Sequence, residues 1–134
     1  MRKHFVIFIV LLILLNSCTK NGSSGDGIPD PNGTWEVAVI PSGHCQAPAG
    51  SKLITVSGGN FSATIMTFTG GGCTRTLSVN GSITKGSLNY IVSGNETISS
   101  SCCSGTNGFF AYIDPSTGSG TVASNWGDLR FEKK

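Results

Sequence analysis

From residue 34 to the C-terminus, apolar and polar residues alternate with a period of two, and this pattern constrains the fold more than any other feature of the chain. Apolar residues at every second position give a β-strand one hydrophobic face, whereas a helix needs spacings of three and four. Trp35, Val37 and Val39, with Glu36 and Ala38 between them, are one example. We therefore expect antiparallel strands that each pack on one face.

Glycine-rich and other turn-forming segments divide the alternating pattern into eight predicted strands, at residues 34–40, 52–57, 61–69, 74–84, 87–93, 108–113, 119–124 and 128–132. Lys85-Gly86 is interpreted as a turn, and Asn80-Gly81 as a β-bulge, because the two turn signals are too close together to end a strand each. The predicted fold is all-β, an antiparallel up-and-down meander of about eight strands that closes into a small barrel. A β-sandwich is the alternative.

The N-terminus has the features of an export signal. Met1-Arg2-Lys3-His4 is basic, residues 5–15 are all apolar, and the small residue Ser17 precedes Cys18. A basic start, an apolar run and a small residue before the cleavage point are typical of a secretory signal peptide. The apolar run would span roughly 16 Å as a helix, which is too short for an uncleaved anchor across a bilayer core of about 30 Å.

The cysteine after Ser17 makes this segment resemble the signal and lipobox of bacterial lipoproteins. The resemblance implies that residues 1–17 are removed and that Cys18 is lipidated and becomes the first residue of the mature chain. By the sorting rules of that family, Thr19 favours the outer membrane, so we expect a lipid-anchored protein of the cell envelope. Secretion with an unmodified Cys18 is the alternative.

The mature chain carries no net charge and forms one domain. The full chain has nine Lys and Arg against seven Asp and Glu, and the loss of Arg2 and Lys3 leaves seven of each sign. Without a basic patch, nucleic acid is not expected as a partner. Residues 18–33 are interpreted as the lipidated N-terminus and a flexible tether, because they are nearly all polar, Gly or Pro. Residues 34–134 form the all-β domain.

Two short segments of this domain resemble lipocalin-like proteins. Gly33-Thr34-Trp35 resembles the Gly-x-Trp start of lipocalin-type and avidin-type barrels. The Gly-Thr-Val of residues 120–122 and the Trp-Gly-Asp-Leu-Arg-Phe of residues 126–131 resemble the last hairpin of small bacterial lipocalin-like lipoprotein domains. The resemblance implies a lipocalin-like barrel. Five aromatic residues on the apolar face are then candidates for lining a pocket for one small apolar ligand, or for filling the interior: Trp35, Phe61, Tyr90, Phe109 and Phe131.

The domain contains four cysteines, Cys45, Cys73, Cys102 and Cys103. An even number of cysteines in an exported chain indicates disulfides. Because alternate loops of a meander share one end, loops 41–51, 70–73 and 94–107 bring all four together, and the last loop would cover that end as a lid. We predict that Cys45 and Cys73 each pair with one of the adjacent Cys102 and Cys103. A ninth strand at 96–101 would instead send the last two cysteines to the far end.

The titratable residues do not form a catalytic pattern. A zinc site with His44 beside Cys45 is the alternative to disulfides, but the chain has no pair of cysteines at the usual zinc-ligand spacing. Glu36 and Glu96 are interpreted as solvated. We therefore expect a non-enzymatic protein without a metal or cofactor. It would bind a small apolar ligand, or dock an envelope protein or glycan through its outer face around a filled core.

Overall fold

The protein is all-β in the residues that the computed structural model describes, which are 27–42, 47–124 and 126–134. No helix occurs within these ranges. The eight strands are β1 (Gly33–Ile40), β2 (Gly50–Val56), β3 (Asn60–Gly70), β4 (Cys73–Lys85), β5 (Tyr90–Ser99), β6 (Gly105–Ile113), β7 (Ser119–Val122) and β8 (Asp128–Lys133). All eight predicted strands are present, and β5 and β6 are longer than predicted.

The strands form two antiparallel four-stranded sheets, ordered β2-β1-β8-β7 and β3-β4-β5-β6. Within each sheet, neighbours along the chain pair with each other, and the first and last strands also pair, from Trp35 opposite Lys133 to Ile40 opposite Asp128. The hydrogen-bonded ladder is divided between β2 and β3 and between β6 and β7, so a β-sandwich describes the pairing as well as a barrel. The all-β antiparallel prediction is confirmed at this level.

The prediction that residues 94–107 form a loop is wrong. The pairing of β5 with β6 continues without interruption from Tyr90 opposite Ile113 to Ile98 opposite Gly105, which leaves only residues 100–104 as the connection. Nor do residues 96–101 start a ninth strand, because residues 96–99 belong to β5. The paired hydroxyls of Thr97 and Thr106, 3.0 Å apart, lie on this extension.

The β-bulge lies in β3 and not at Asn80-Gly81. The register of β3 against β4 shifts between Thr64 and Met66, and both Ile65 and Met66 face the core. Asn80 and Gly81 instead lie in continuous ladders on both sides of β4. The predicted turn at Lys85-Gly86 is confirmed, because β4 ends at Lys85 and the Gly86 amide donates to the Asn89 carbonyl at 2.7 Å.

The core lies between the inward faces of the two sheets. One sheet contributes Trp35, Val37, Ile54, Leu129 and Phe131, and the other contributes Phe61, Leu77, Val79, Val92, Ile98 and Ile113. Ile28 is also buried in this core, and the Trp35 indole donates to the Pro31 carbonyl at 2.7 Å. The packed part of the chain therefore begins before β1, within the segment interpreted as a tether.

Candidate functional site

The five aromatic residues predicted as pocket candidates are all buried in the core and pack on one another. Trp35 meets Tyr90 edge to face with ring centroids 5.4 Å apart. Phe131 contacts Phe61 and Phe109, each at a centroid distance of 5.7 Å. Burial raises the pKa of the Tyr90 phenol above its ordinary value. These contacts are those of interior-filling side chains.

A cleft of about 360 Å³ opens at one end of the two sheets. One wall is formed by Pro41, Ala47 and Pro48 from the connection between β1 and β2. The other wall comes from the hairpin of β3 and β4, with Phe68, Thr69, Gly70 and Arg75. The cleft lies at the end shared by the β1–β2, β3–β4, β5–β6 and β7–β8 connections. This is the end at which the cysteines were predicted to meet.

The bulge in β3 determines which residues of that strand line the cleft. Before the bulge, the inward positions are Phe61, Ala63 and Ile65; after it, Met66 and Phe68 pack against the core. Uninterrupted alternation from Ile65 would have turned Phe68 outward, because side chains change face at every residue. The extra residue therefore brings the Phe68 ring to the cleft.

Arg75 is the charged residue of the cleft lining. It lies opposite Phe68 in the β3–β4 ladder, with its guanidinium carbon 5.9 Å from the centre of the Phe68 ring. Its Nε is buried and has no hydrogen-bond partner among the described residues. A buried donor without an acceptor destabilises the fold unless something else supplies the acceptor.

The disulfide Cys73–Cys102 fixes the rim of this end, with the two Cα atoms 6.3 Å apart. It joins the tip of the β3–β4 hairpin to the β5–β6 connection, where Ser100 Oγ accepts the Cys103 amide at 2.9 Å. This bond is one of the pairings that the sequence left open. Cys103 is half-buried beside it. Cys45 and His44 lie outside the described residues, so the second predicted bond remains a prediction.

Glu96 was predicted to be solvated, and this is wrong: it is 1% exposed. It belongs to the inward row of β5 with Tyr90, Val92 and Ile98, and its Oε1 accepts a hydrogen bond from Ser124 Oγ. The same hydroxyl accepts the amide of Trp126 at 3.2 Å. Glu96 thus holds the β7–β8 connection. The apolar period of two is interrupted between Val92 and Ile98, because the inward positions there are Gly94 and Glu96, so the even spacing of Val92 and Ile98 was the only signal in the sequence.

Glu36 is partly exposed and is not simply solvated. Lys134 Nζ lies 2.6 Å from Glu36 Oε2 and 2.8 Å from Glu132 Oε1. The hydrogen bond from Lys134 is the main cause that lowers the pKa of Glu36, and bonding to the two carboxylates raises the pKa of Lys134. This cluster ties the C-terminus to β1.

An exposed aromatic pair on the outer face of β6 was not anticipated. Phe110 and Tyr112 are 57% and 62% exposed and meet edge to face with centroids 5.0 Å apart. They lie opposite Ser93 and Ile91 of β5. Contiguous exposed apolar surface is typical of interaction sites.

The lipidation site, metal sites and membrane-spanning helices can be examined only in the described residues. Cys18 lies outside the described ranges. Within residues 27–42, 47–124 and 126–134, no three His, Cys, Asp or Glu side chains come together as a metal site. The same ranges contain no helix long and apolar enough to cross a bilayer.

The chain matches no family model, no curated protein and no solved structure. Its class is therefore defined by structure alone, as an all-β domain of two antiparallel sheets with a disulfide and a cleft at one end.

Proposed function

We propose that the chain is a non-enzymatic lipoprotein of the cell envelope that binds a small, mainly apolar ligand in a lipocalin-like barrel. The cleft of about 360 Å³ carries the proposal. Ligand sites in proteins are concave, largely apolar and of a few hundred Å³, and β-barrels bind ligands at their open ends. We locate the ligand in this end cleft, because the five core aromatics already fill the space between the sheets.

In this proposal the two sheets form one barrel. The pairing of β1 with β8 supports it, because joining the first strand to the last is how a meander closes. The bridges Ser57–Asn60 and Asp114–Ser119 connect the two sheets at the opposite end from the cleft. A flattened barrel whose two sheets are joined at these bridges and separate at the cleft end accounts for the divided ladder.

The non-enzymatic part of the proposal rests on the role of the buried carboxylate. Catalytic carboxylates act on a substrate that reaches them in a cleft. Glu96 is the buried acidic residue in the described part of the chain, and it is bound to Ser124 in the interior. Its position suits a structural role in holding the β7–β8 connection.

The proposal is tested by native mass spectrometry of the full chain, exported by a bacterial host and released from its membrane in detergent. We expect a bound apolar small molecule that Phe68→Ala loses, because this change removes one wall of the cleft. Phe110→Ala is the matched control, since it truncates a phenylalanine on the outer face. Equal occupancy in the two variants, or a bare wild-type mass, would contradict the proposal.

A second candidate function rests on the outer face of β6. The exposed pair Phe110 and Tyr112 favours a protein that docks an envelope partner, protein or glycan, by aromatic contacts. In that case Phe110→Ala would lose partners recovered by crosslinking in envelopes, and Phe68→Ala would retain them. The two candidates therefore predict opposite effects for the same pair of variants.

A further inference from the structure

The cleft contains a positive charge that the described protein does not neutralise. Arg75 forms no ion pair with a described carboxylate, and the ion pairs of Glu36 and Glu132 are both made with Lys134. Arg75 is only partly exposed, and its Nε is buried without an acceptor among the described residues. A partly desolvated charge is costly unless it is paired, so this arrangement favours an anion in the cleft.

The surroundings of the guanidinium restrict its freedom. On one side it lies over the Phe68 ring at 5.9 Å. On another side it lies close to Gly70. A Cβ added to Gly70 would lie 3.3 Å from Arg75 Nη1, so a larger residue there would crowd the guanidinium. The group is therefore held by packing at the cleft, and its donors make no hydrogen bond to the part of the chain that the structure describes. A preorganised guanidinium of this kind recognises planar oxyanions well.

Most of the remaining cleft lining is apolar. Pro41, Ala47 and Pro48 offer no side-chain donor or acceptor, and Phe68 adds an aromatic surface. Thr69 adds one hydroxyl, which is paired with the Thr74 hydroxyl at 3.2 Å. A fully hydrophilic anion would bind the guanidinium but leave the apolar walls of the cleft exposed to water. A ligand with one anionic group and an apolar body satisfies both parts of the site.

We propose that the cleft binds a small amphipathic carboxylate, with the carboxylate on Arg75 and an acyl or aryl body against Pro41, Pro48 and Phe68. A carboxylate matches the single positive charge, whereas a phosphate monoester would bring close to two negative charges and leave one of them unpaired. This inference rests on the proposed ligand-binding function, and it adds the chemical class of the ligand.

The test compares two probes of the same shape, 4-tert-butylbenzoate and the neutral 4-tert-butylbenzamide. Both are titrated onto the full chain in lipid nanodiscs, with empty nanodiscs as the blank, and binding is followed by the amide resonances of Thr69 and Gly70. We expect the carboxylate to bind about tenfold more tightly than the amide, because a charge-assisted pair replaces a neutral hydrogen bond.

Substitutions at Arg75 and at Arg130 distinguish a specific role of Arg75 from a general effect of positive charge. Arg75→Gln should abolish the preference for the carboxylate, and Arg75→Lys should keep part of it. Arg130→Gln removes the same charge from an exposed position on β8 and should leave the preference unchanged.

The possible failures are distinguishable. Equal binding of both probes to the wild type, with shifts at Thr69 and Gly70, would overturn the carboxylate inference and leave the proposed function standing. A preference that survives Arg75→Gln would overturn the role of Arg75. Shifts at neither residue with either probe would count against the ligand-binding function itself.

Discussion

Gly81 of β4 and Gly94 of β5 face each other so closely that neither position has room for a side chain. A Cβ on Gly81 would lie 2.7 Å from the Gly94 Cα, and a Cβ on Gly94 would lie 2.8 Å from the Gly81 Cα. Real Cβ atoms do not approach other atoms to such distances. The glycine of the Asn80-Gly81 sequence therefore allows β4 and β5 to approach closely, and the pair forms neither a turn nor a bulge.

Alanine at either of these glycines should destabilise the domain. Gly81→Ala and Gly94→Ala must push β4 and β5 apart, and we expect each to lower the free energy of unfolding by about 2–3 kcal/mol. Urea unfolding followed by tryptophan fluorescence measures this. Gly108→Ala is the control, because a Cβ there meets its nearest neighbour at an ordinary 3.7 Å. Similar losses in all three variants would contradict the close-approach argument.

The disulfide should be a major source of stability. It closes a sequence separation of 29 residues between Cys73 and Cys102. The chain-entropy relation gives about 3–4 kcal/mol for a loop of this length. The double variant Cys73→Ser with Cys102→Ser should lose that amount in urea unfolding. We also expect peptide mapping without reductant to find Cys73–Cys102 together with the predicted Cys45–Cys103; a Cys45–Cys73 bridge would refute the pairing.

Ser124 should matter more than an ordinary surface hydroxyl. Ser124→Ala removes the donor to the buried Glu96 carboxylate and should destabilise the domain by about 2–3 kcal/mol. Thermal unfolding monitored by near-ultraviolet circular dichroism gives the change. Thr106→Ala is the comparison, because its bond to Thr97 is exposed and its loss should cost about 0.5 kcal/mol or less. A Ser124→Ala variant as stable as Thr106→Ala would show that Glu96 does not depend on this hydroxyl.

The turn between β6 and β7 should weaken in acid. The hydroxyl and amide of Ser116 donate to Asp114 Oδ1 at 2.7 and 2.8 Å and lower the pKa of this carboxyl. A lowered folded-state pKa means that the stabilisation is complete above the unfolded-state value, about 3.9, and is lost as the pH falls through the folded-state value. The stability difference between wild type and Asp114→Asn should therefore be constant from pH 5 to 7 and shrink below about pH 4. A difference independent of pH down to pH 2 would contradict this.

Lipidation of Cys18 should determine whether the chain is found with membranes. If Cys18 carries the lipid, the wild-type chain should fractionate with membranes and show the mass of an acylated N-terminus. Cys18→Ser should release the chain from membranes or leave its signal uncleaved, because the acceptor thiol is lost. Cys103→Ser controls for the loss of a cysteine, and it should stay with the membrane. A wild-type chain in the soluble fraction would contradict the lipoprotein proposal.

The strands could be predicted because their inward residues are mostly large and apolar, as with Trp35, Val37 and Val39. The end of β5 could not, because two of its inward positions are Gly94 and Glu96, which carry no hydrophobic signal. The buried role of Glu96 depends on Ser124, which is 28 residues away in sequence. Only the folded register brings such a pair together.

The bulge and the cleft could not be predicted from the sequence for a related reason. Ile65 and Met66 are adjacent apolar residues, and the sequence does not show whether one faces outward or both face inward. The position of Phe68, and with it the lining of the cleft, follows from that choice. In the sequence, Arg75 has the pattern of an ordinary exposed strand residue. Its position in the cleft depends on the opposite wall, which begins at Pro41.

The pairing of β1 with β8 also determines where the chain enters and leaves the domain relative to the cleft. β1 starts at Gly33 and reaches the cleft only after Ile40, and the Lys134 amide returns to the Thr34 carbonyl at 3.0 Å. The first residues that the structure describes and Lys134 therefore both lie at the end away from the cleft. If the chain is attached to a bilayer through its N-terminus, the attachment joins the domain at this end and leaves the mouth of the cleft open to the aqueous compartment.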